Sequence, residues 1–283
     1  MPFDGFPPAA MWSRKPVKRR EPVRFRAIWI SDVHLGTSTC RADRLLELLQ
    51  LTDSEALYLV GDIIDSRELR RRWYWDQSHN GVVQEIFEKA NAGTRVVFIP
   101  GNHDEPFRKL IGLDLAGIRI RDELVHVTAQ GKRMLVLDGD RFDSVASKAR
   151  WLHGCGSPVA PVMLKLLRKM NSWRARIGLP YWSLSRYLAV KMKRADAHLR
   201  SFEDALVEEA GRKGVDGVIC GHVHQPEMRN IGGVLYCNDG DWVEHQSVLV
   251  EDLSGELRLA DWHEIIVQSD REQLCGEMVR AEL

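Results

Sequence analysis

The chain has 283 residues, 44% of them hydrophobic, which allows one large core or a core with a small appended domain. Lys plus Arg and Asp plus Glu both count 40, so net charge selects no class of partner. No apolar run approaches the ~20 residues of a membrane-spanning helix, the first residues lack the apolar middle of a secretory signal, and the five scattered cysteines (Cys40, Cys155, Cys220, Cys237, Cys275) form no CxxC, which excludes a disulfide frame or zinc knuckle and suits a reducing cytoplasm.

Residues 1–24, rich in Pro and basic side chains, read as a flexible extension capable at most of weak membrane or nucleic-acid contact. FRAIWIS (25–31) is the first strand: short, apolar, β-branched and closed by a turn signal. RADRLLELLQL (41–51) places Leu45, Leu48 and Leu49 on one helical face. ALYLV (56–60) is the second strand. GVVQEIFEKANAG (81–93) is a helix with Val82, Val83 and Ile86 on one side and a Gly stop signal. RVVFIP (95–100) is the third strand, followed by strands near 123–128 and at RMLVL (133–137). Residues 145–213 contain no convincing strand. Between Lys148 and Arg200 they carry twelve Lys or Arg against one acid, Asp196, with Trp151, Trp173, Tyr181, Trp182 and Tyr187 interleaved. They read as a helical, basic cap insertion, in which VMLKLLRKMNSW (162–173) is amphipathic. VDGVIC (215–220) resumes the strands, and those near 234–238 and 246–250 follow with short connections. The opening strand–helix–strand order argues for an α/β core. The later strands argue for a second, partly antiparallel sheet. The organisation is therefore an extension (1–24), a core (25–144 and 214–270), the insertion (145–213) and a tail (271–283).

The strand ends carry the chemistry. The chain reads Ser31-Asp32-Val33-His34 after the first, Gly61-Asp62-Ile63-Ile64-Asp65 after the second and Gly101-Asn102-His103-Asp104 after the third. LVLDGD (135–140) ends on Asp138-Gly139-Asp140, and the strand at 215–220 runs into Gly221-His222-Val223-His224. Taken singly, each cluster is an ordinary turn or cap. Sites in open α/β sheets form at the carboxyl ends of strands, so together these loops are expected to converge. Carboxylates, an amide oxygen and imidazoles without thiolates suit Mn²⁺, Fe or Zn. A carboxylate can bridge two ions, and two metals roughly 3.5–4 Å apart clamp the attacking and leaving oxygens of a phosphoryl displacement.

DVH (32–34), GDIID (61–65), GNHD (101–104) and GHVH (221–224) together resemble the signature of the calcineurin-like metallophosphoesterases. The resemblance implies a four-layer αββα sandwich with a helical insertion and a site for two divalent ions, most suitably Mn, with Fe, Zn or Mg as alternatives. It implies that Asp32, His34, Asp62 and His224 hold one ion, that Asp62 bridges, and that Asn102 and His222 hold the second. His103 would assist the phosphoryl transition state or leaving group, oriented by Asp104. Attack of a metal-bound hydroxide would hydrolyse a phosphodiester, phosphomonoester or pyrophosphate.

The basic insertion before GHVH and the late NDGDW (238–242) make the layout similar to the UDP-2,3-diacylglucosamine diphosphatase group. That group implies a nucleotide-linked lipid precursor as substrate and acyl chains housed in the insertion. It also implies a cytoplasmic enzyme with peripheral contact at the inner membrane. Arg186, Lys191, Lys193 and Arg194 are the candidate substrate-phosphate contacts. The chain departs from the family twice. Asp138 stands where the family has His, and His103 stands where that group carries Arg, which moves the chain towards general phosphoesterases. Asp138 is a harder ligand that lowers the positive charge of a metal-loaded site, so an attenuated or non-catalytic relative is one alternative. A nuclease is another, although no nucleic-acid recognition module is present and no specific nucleic-acid partner is expected. Asp65 and Asp140 read as supporting or loop-capping groups. His79, His126, His153, His198, His245 and His263 read as structural or surface residues.

Overall fold

The computed structural model describes residues 22–142 and 184–281. In chain order these form β1 (Val23–Ile30), α1 (Ala42–Leu51), β2 (Thr52–Val60), α2 (Ser66–Arg71), α3 (Gln77–Asn91), β3 (Arg95–Ile99) and α4 (Glu105–Arg108). Then come β4 (Asp114–Leu115), β5 (Ile118–Ile120), β6 (Glu123–Val127), β7 (Arg133–Leu137) and α5 (Leu184–Lys213). The chain closes with β8 (Gly217–Cys220), β9 (Glu227–Ile231), β10 (Val234–Asn238), β11 (Ser247–Glu251), β12 (Leu257–Asp261) and α6 (Trp262–Ala281).

The strands build a seven-stranded sheet, β12-β11-β1-β2-β3-β5-β4, and a five-stranded sheet, β6-β7-β8-β10-β9. Periodicity explains the layers. Leu45, Leu48 and Leu49 of α1, Val82 and Ile86 of α3 and Ile265 of α6 pack on one face of the large sheet, against Ile28, Ile30, Leu57 and Leu59. Its other face meets the small sheet through Trp29, Tyr58, Val97, Met134, Val136 and Ile219. Phe202, Leu206 and Ala210, four residues apart on α5, cover the outer face of the small sheet at Leu135, Val218 and Tyr236. Helix, sheet, sheet, helix is the αββα order.

Several details differ from the sequence reading. The strand near 246–250 does not join the second sheet. As β11 it pairs antiparallel with β1, with Ala27 opposite Glu251. Val248 and Val250 enter the helix-side core while Leu249 enters the layer between the sheets, so this strand is buried on both faces and takes an inner position. β2 starts at Thr52, directly after α1, where it pairs with Val23 of β1, and Lys89 of α3 donates to the Thr52 carbonyl and lies 3.5 Å from Asp53. The part of α5 that packs on the small sheet falls within the range read as insertion, and α6 runs through residues read as a tail. Residues 148–183, including the amphipathic stretch 162–173, lie outside the described residues, as do Asp143 and the extension up to 21.

Between the sheets Trp29 is fully buried and stacks on Tyr58, centroids 5.2 Å apart and planes 11° from parallel. Tyr58 Oη lies 2.9 Å from His126 Nδ1, and His126 Nε2 lies 2.7 Å from Glu251 Oε2. Glu251 Oε1 accepts a hydrogen bond from the Ala129 N–H at 2.7 Å. This buried chain ties β2, β6 and β11 together, and burial keeps the His126 imidazole below its ordinary pKa. Truncating the stacked ring would leave a cavity at the centre of the sandwich. Trp29→Ala is expected to lower the unfolding free energy by about 3–5 kcal/mol, read from urea denaturation at constant metal concentration.

Candidate metal centre

β1, β2 and β3 run parallel in the large sheet, and β7, β8 and β10 run parallel in the small one. Their carboxyl ends meet at one end of the sandwich, and hydrogen bonds stitch the loops together. The Asp32 N–H donates to the Gly61 carbonyl at 3.0 Å and the His34 N–H to the Asp62 carbonyl at 2.9 Å. The His103 N–H donates to Asp62 Oδ1 at 2.7 Å, and the His222 N–H to Asp32 Oδ2 at 2.7 Å. Ser31 Oγ donates to Asp239 Oδ1 at 2.7 Å, which brings in the loop after β10.

The backbone is strained where the side chains converge. Asp32, His34, Asp62, His222 and His224 all have left-handed backbones, with φ of 48°, 54°, 52°, 75° and 56°. Each costs of order 1 kcal/mol or more for a non-glycine residue, and such strain clusters at functional sites. Two glycines make room for the carboxylates. A Cβ on Gly61, whose φ is +78°, would fall 1.6 Å from Asp138 Oδ1. A Cβ on Gly101 would fall 2.3 Å from Asp62 Oδ1 and 3.0 Å from Asp138 Oδ1. Asp138 therefore points into the nest, beside Asp62.

Asp32, His34 and His224 each offer a ligand atom, and these atoms all lie within 4.8 Å of one another. Asp32 Oδ1 is 3.0 Å from His224 Nε2 and 3.9 Å from His34 Nε2. Asp62 sits between this group and Asp138. His222 lies beside Gly139, its Cβ 3.7 Å from where a Gly139 Cβ would stand. Asn102 stands on the loop after β3 with its Oδ1 buried. Arg186, Lys191, Lys193 and Arg194 ride on the first half of α5, and their side chains lie outside the described residues.

Asp104 corrects the sequence reading. Its carboxylate does not orient His103. Fully buried, it accepts from the N–H groups of Ile63, Ile64 and Gly101 at 3.0, 2.7 and 3.1 Å, clamping the loops after β2 and β3 to each other. The orienting carboxylate is Asp65. Its Oδ2 lies 2.9 Å from His103 Nδ1 and 3.0 Å from His34 Nδ1, while its Oδ1 caps α2 through the Glu68 N–H at 2.9 Å. Asp65 thus lies against both rings at Nδ1, and His34 turns its Nε2 towards Asp32. Behind His224, Asp241 Oδ2 lies 3.9 Å from Nδ1 and 2.6 Å from the Nδ1 of His245. Arg108, absent from the sequence reading, pairs with Asp140 and donates from Nε to the Gly101 carbonyl at 3.0 Å. The signal for Asp65 was present in GDIID; the signals for Arg108 and Asp241 depend on partners far along the chain.

The electrostatics call for cations. Burial and the neighbouring Asp62, Asp140, Asp32 and Asp104 push the Asp138 carboxyl well above the ordinary range. Burial, then Asp62, raises Asp104 to about 7. Burial would also raise Asp32, but His224, His34 and His222 outweigh it and hold that carboxyl low. Burial opposes the charged form of His224, and Asp32 overrides it, lifting the imidazole to about 9. His34 Nε2, Asp62 Oδ2, Asn102 Oδ1 and Asp138 Oδ1 are buried with no hydrogen bond. Oxygen and imidazole donors, buried, clustered and unsatisfied, fit divalent metal ions. Next to the nest, Ser66 Oγ donates to the His103 carbonyl at 2.6 Å, and α2 with the residues just after it exposes Arg67, Arg70, Arg71, Arg72, Trp73 and Tyr74, with Trp73 75% exposed.

The model of the calcineurin-like phosphoesterase family matches residues 25–226. The chain belongs to this family. It is 26% identical over 249 residues to a UDP-2,3-diacylglucosamine hydrolase of Xanthomonas campestris pv. campestris, covering 81% of this chain and 96% of that protein. It is 26% identical over 218 residues to one of Pseudomonas aeruginosa, covering 70% and 82%. Among solved structures it is similar to an archaeal phosphodiesterase, with 13% identity, 83% and 98% coverage and a TM-score of 0.39. It is also similar to a phosphoesterase from E. coli, with 14% identity, 83% and 97% coverage and a TM-score of 0.39. No helix among the described residues is long and apolar enough to cross a membrane.

Metal ligands must shed their protons, so loading is linked to pH. At about 100 times its dissociation constant, Mn²⁺ is expected to add about 2.7 kcal/mol to the unfolding free energy at pH 8. The gain should shrink as pH falls and the imidazoles and Asp138 compete for protons. Thermal denaturation with Mn²⁺ and with EDTA, at pH 8 and pH 5.5, measures this.

Proposed function

We propose that the chain is a dinuclear metal-dependent hydrolase of a phosphoester or pyrophosphate in an anionic, lipid-linked substrate of the UDP-2,3-diacylglucosamine type. The observation that carries this reading is the cluster of Asp32, His34 and His224, together with the buried oxygens of Asp62, Asn102 and Asp138 that have no hydrogen bond. Its relatives' names support the substrate class. So does the exposed Arg-rich and Trp-bearing stretch of α2 and the residues just after it, whose chemistry suits phosphates and apolar chains together. Peripheral contact with a membrane surface at the cytoplasmic side belongs to the same reading.

Asp32, His34, Asp62 and His224 would hold one ion, and Asp62, Asn102, Asp138 and His222 the other, Mn being the best match to the donors. Two such ions supply Lewis-acid polarisation of phosphate oxygens and neutralise charge that develops on them. The protein supplies position and protons. Burial works against a charged His103, but Asp65 and Asp62 override it and raise its pKa. With Nδ1 held by Asp65, His103 presents Nε2 to donate to the departing oxygen. Asp65 is a positioning residue that keeps this proton on the correct face.

Turnover on three substrates tests the reading: a UDP-linked acyl sugar, a bis-aryl phosphate and an aryl phosphate, each with Mn²⁺ and with and without detergent. The acyl sugar is expected to be fastest and to be accelerated by detergent. His103→Gln should retain metal and fold while losing about two or more orders of magnitude in turnover. Preference for an aryl phosphate, with indifference to detergent, would remove the lipid-linked substrate.

Asp138 retunes the site. Two divalent ions with Asp32 and Asp62 sum to about +2, and Asp138 lowers this to about +1, weakening the grip on an anionic substrate. Asp138→His is therefore expected to lower KM for the anionic substrate and to change metal content measured by elemental analysis. If neither moves, the charge of Asp138 plays no part.

A further inference from the structure

A groove of about 590 Å³ opens between β6, the edge strand of the small sheet, and the inner face of the large sheet. None of the candidate metal-centre residues lines it. Arg95, which does, begins β3, whereas Gly101 and His103 follow the opposite end of that strand. The groove and the metal nest are therefore separate places on the fold.

Guanidinium groups dominate the lining. Arg95 donates to Tyr58 Oη at 2.8 Å and lies 5.9 Å from that ring's centroid, which fixes its direction. Arg119 is exposed on β5, next to Val97 of β3. Neither Arg95 nor Arg119 has an ion-pair partner among the described residues. Arg26 Nε is buried without a hydrogen bond, 3.7 Å from Glu251 and 4.0 Å from Glu55. Glu251 is already committed to His126 and the Ala129 N–H. Glu55 is the one carboxylate of the lining and is mostly exposed. Arg121 is paired with Asp114 at 2.6 Å and adds little free charge. Val97 and Leu124 supply apolar wall.

The volume lies in the range of small-molecule sites. Planar guanidinium forks match phosphate oxygens two at a time, and those of Arg95 and Arg119 have no carboxylate partner among the described residues. A carboxylate ligand would meet the same donors, but a phosphate dianion satisfies two forks at once. We propose that this groove is a second binding site, for a phosphorylated small molecule whose phosphate is held by Arg95 and Arg119 and whose body lies against Val97 and Leu124.

The test is calorimetric titration of the Mn²⁺-loaded chain with imidodiphosphate, a pyrophosphate analogue that resists hydrolysis. Wild type should show two classes of site, the groove class weakening with added salt. Arg95→Gln/Arg119→Gln should weaken the groove class at least about tenfold and leave the other class and basal turnover unchanged. Hydrogen exchange should show ligand protection at β5 and β6 in wild type and lose it in the double variant. His103→Gln should keep groove binding, which separates this inference from the hydrolytic reading. If the double variant is unstable, Arg119→Gln alone, at an exposed side chain without an ion pair, should weaken the groove class about threefold. Unchanged isotherms in the variants, or protection confined to the loops that follow the strands, would overturn the proposal.

Discussion

Asp32, Asp62, Asp104 and Asp138 are buried carboxylates crowded into one end of the sandwich, and the fold has to answer their mutual repulsion. An uncompensated buried charge is among the most expensive features a protein can carry. Each carboxylate finds a different solution. Asp104 is wrapped by three backbone N–H groups. Asp32 faces the imidazoles of His34 and His224 and takes the His222 N–H. Asp62 and Asp138 keep oxygens with no hydrogen bond, and cations are the remaining answer. The left-handed residues and the glycines without room for a Cβ follow from the need to aim these groups at one point.

The rest of the sandwich makes that aim rigid. Helices lock the outer faces of both sheets, and the Trp29–Tyr58–His126–Glu251 chain locks the inner ones. Loops attached to such a frame cannot relax their strained backbones without breaking contacts across the seam. The same two-sheet construction leaves β6 as an edge, and the arginine-lined groove beside it is a by-product of sheets whose strand counts differ, seven against five.

Asp65 and Asp138 show how one residue type serves opposite ends. Burial works against ionisation of Asp65, but the His103 and His34 imidazoles beside it prevail and hold its carboxyl low. Asp138 meets other carboxylates, and burial with their charges pushes its carboxyl well above the ordinary range.

The strand ends at Asp32, Asp62, Asn102, Asp138 and His222 were legible in the sequence, because each closes a short apolar run whose burial is dictated by composition. The helix stripes of α1 and α3 were legible for the same reason. Placement of β11 was not, since a run of apolar residues says that both faces are buried but not which strand lies alongside. Nor was the exchange of roles between Asp65 and Asp104, which stand 39 positions apart on loops that meet only in the fold. Sequence by itself determined which chemical groups sit at the ends of the strands. Tertiary structure alone decided which carboxylate touches an imidazole, which is wrapped by backbone and which is left for a cation, because hydrogen bonds act over about 3 Å while the chain separating these groups is many times longer.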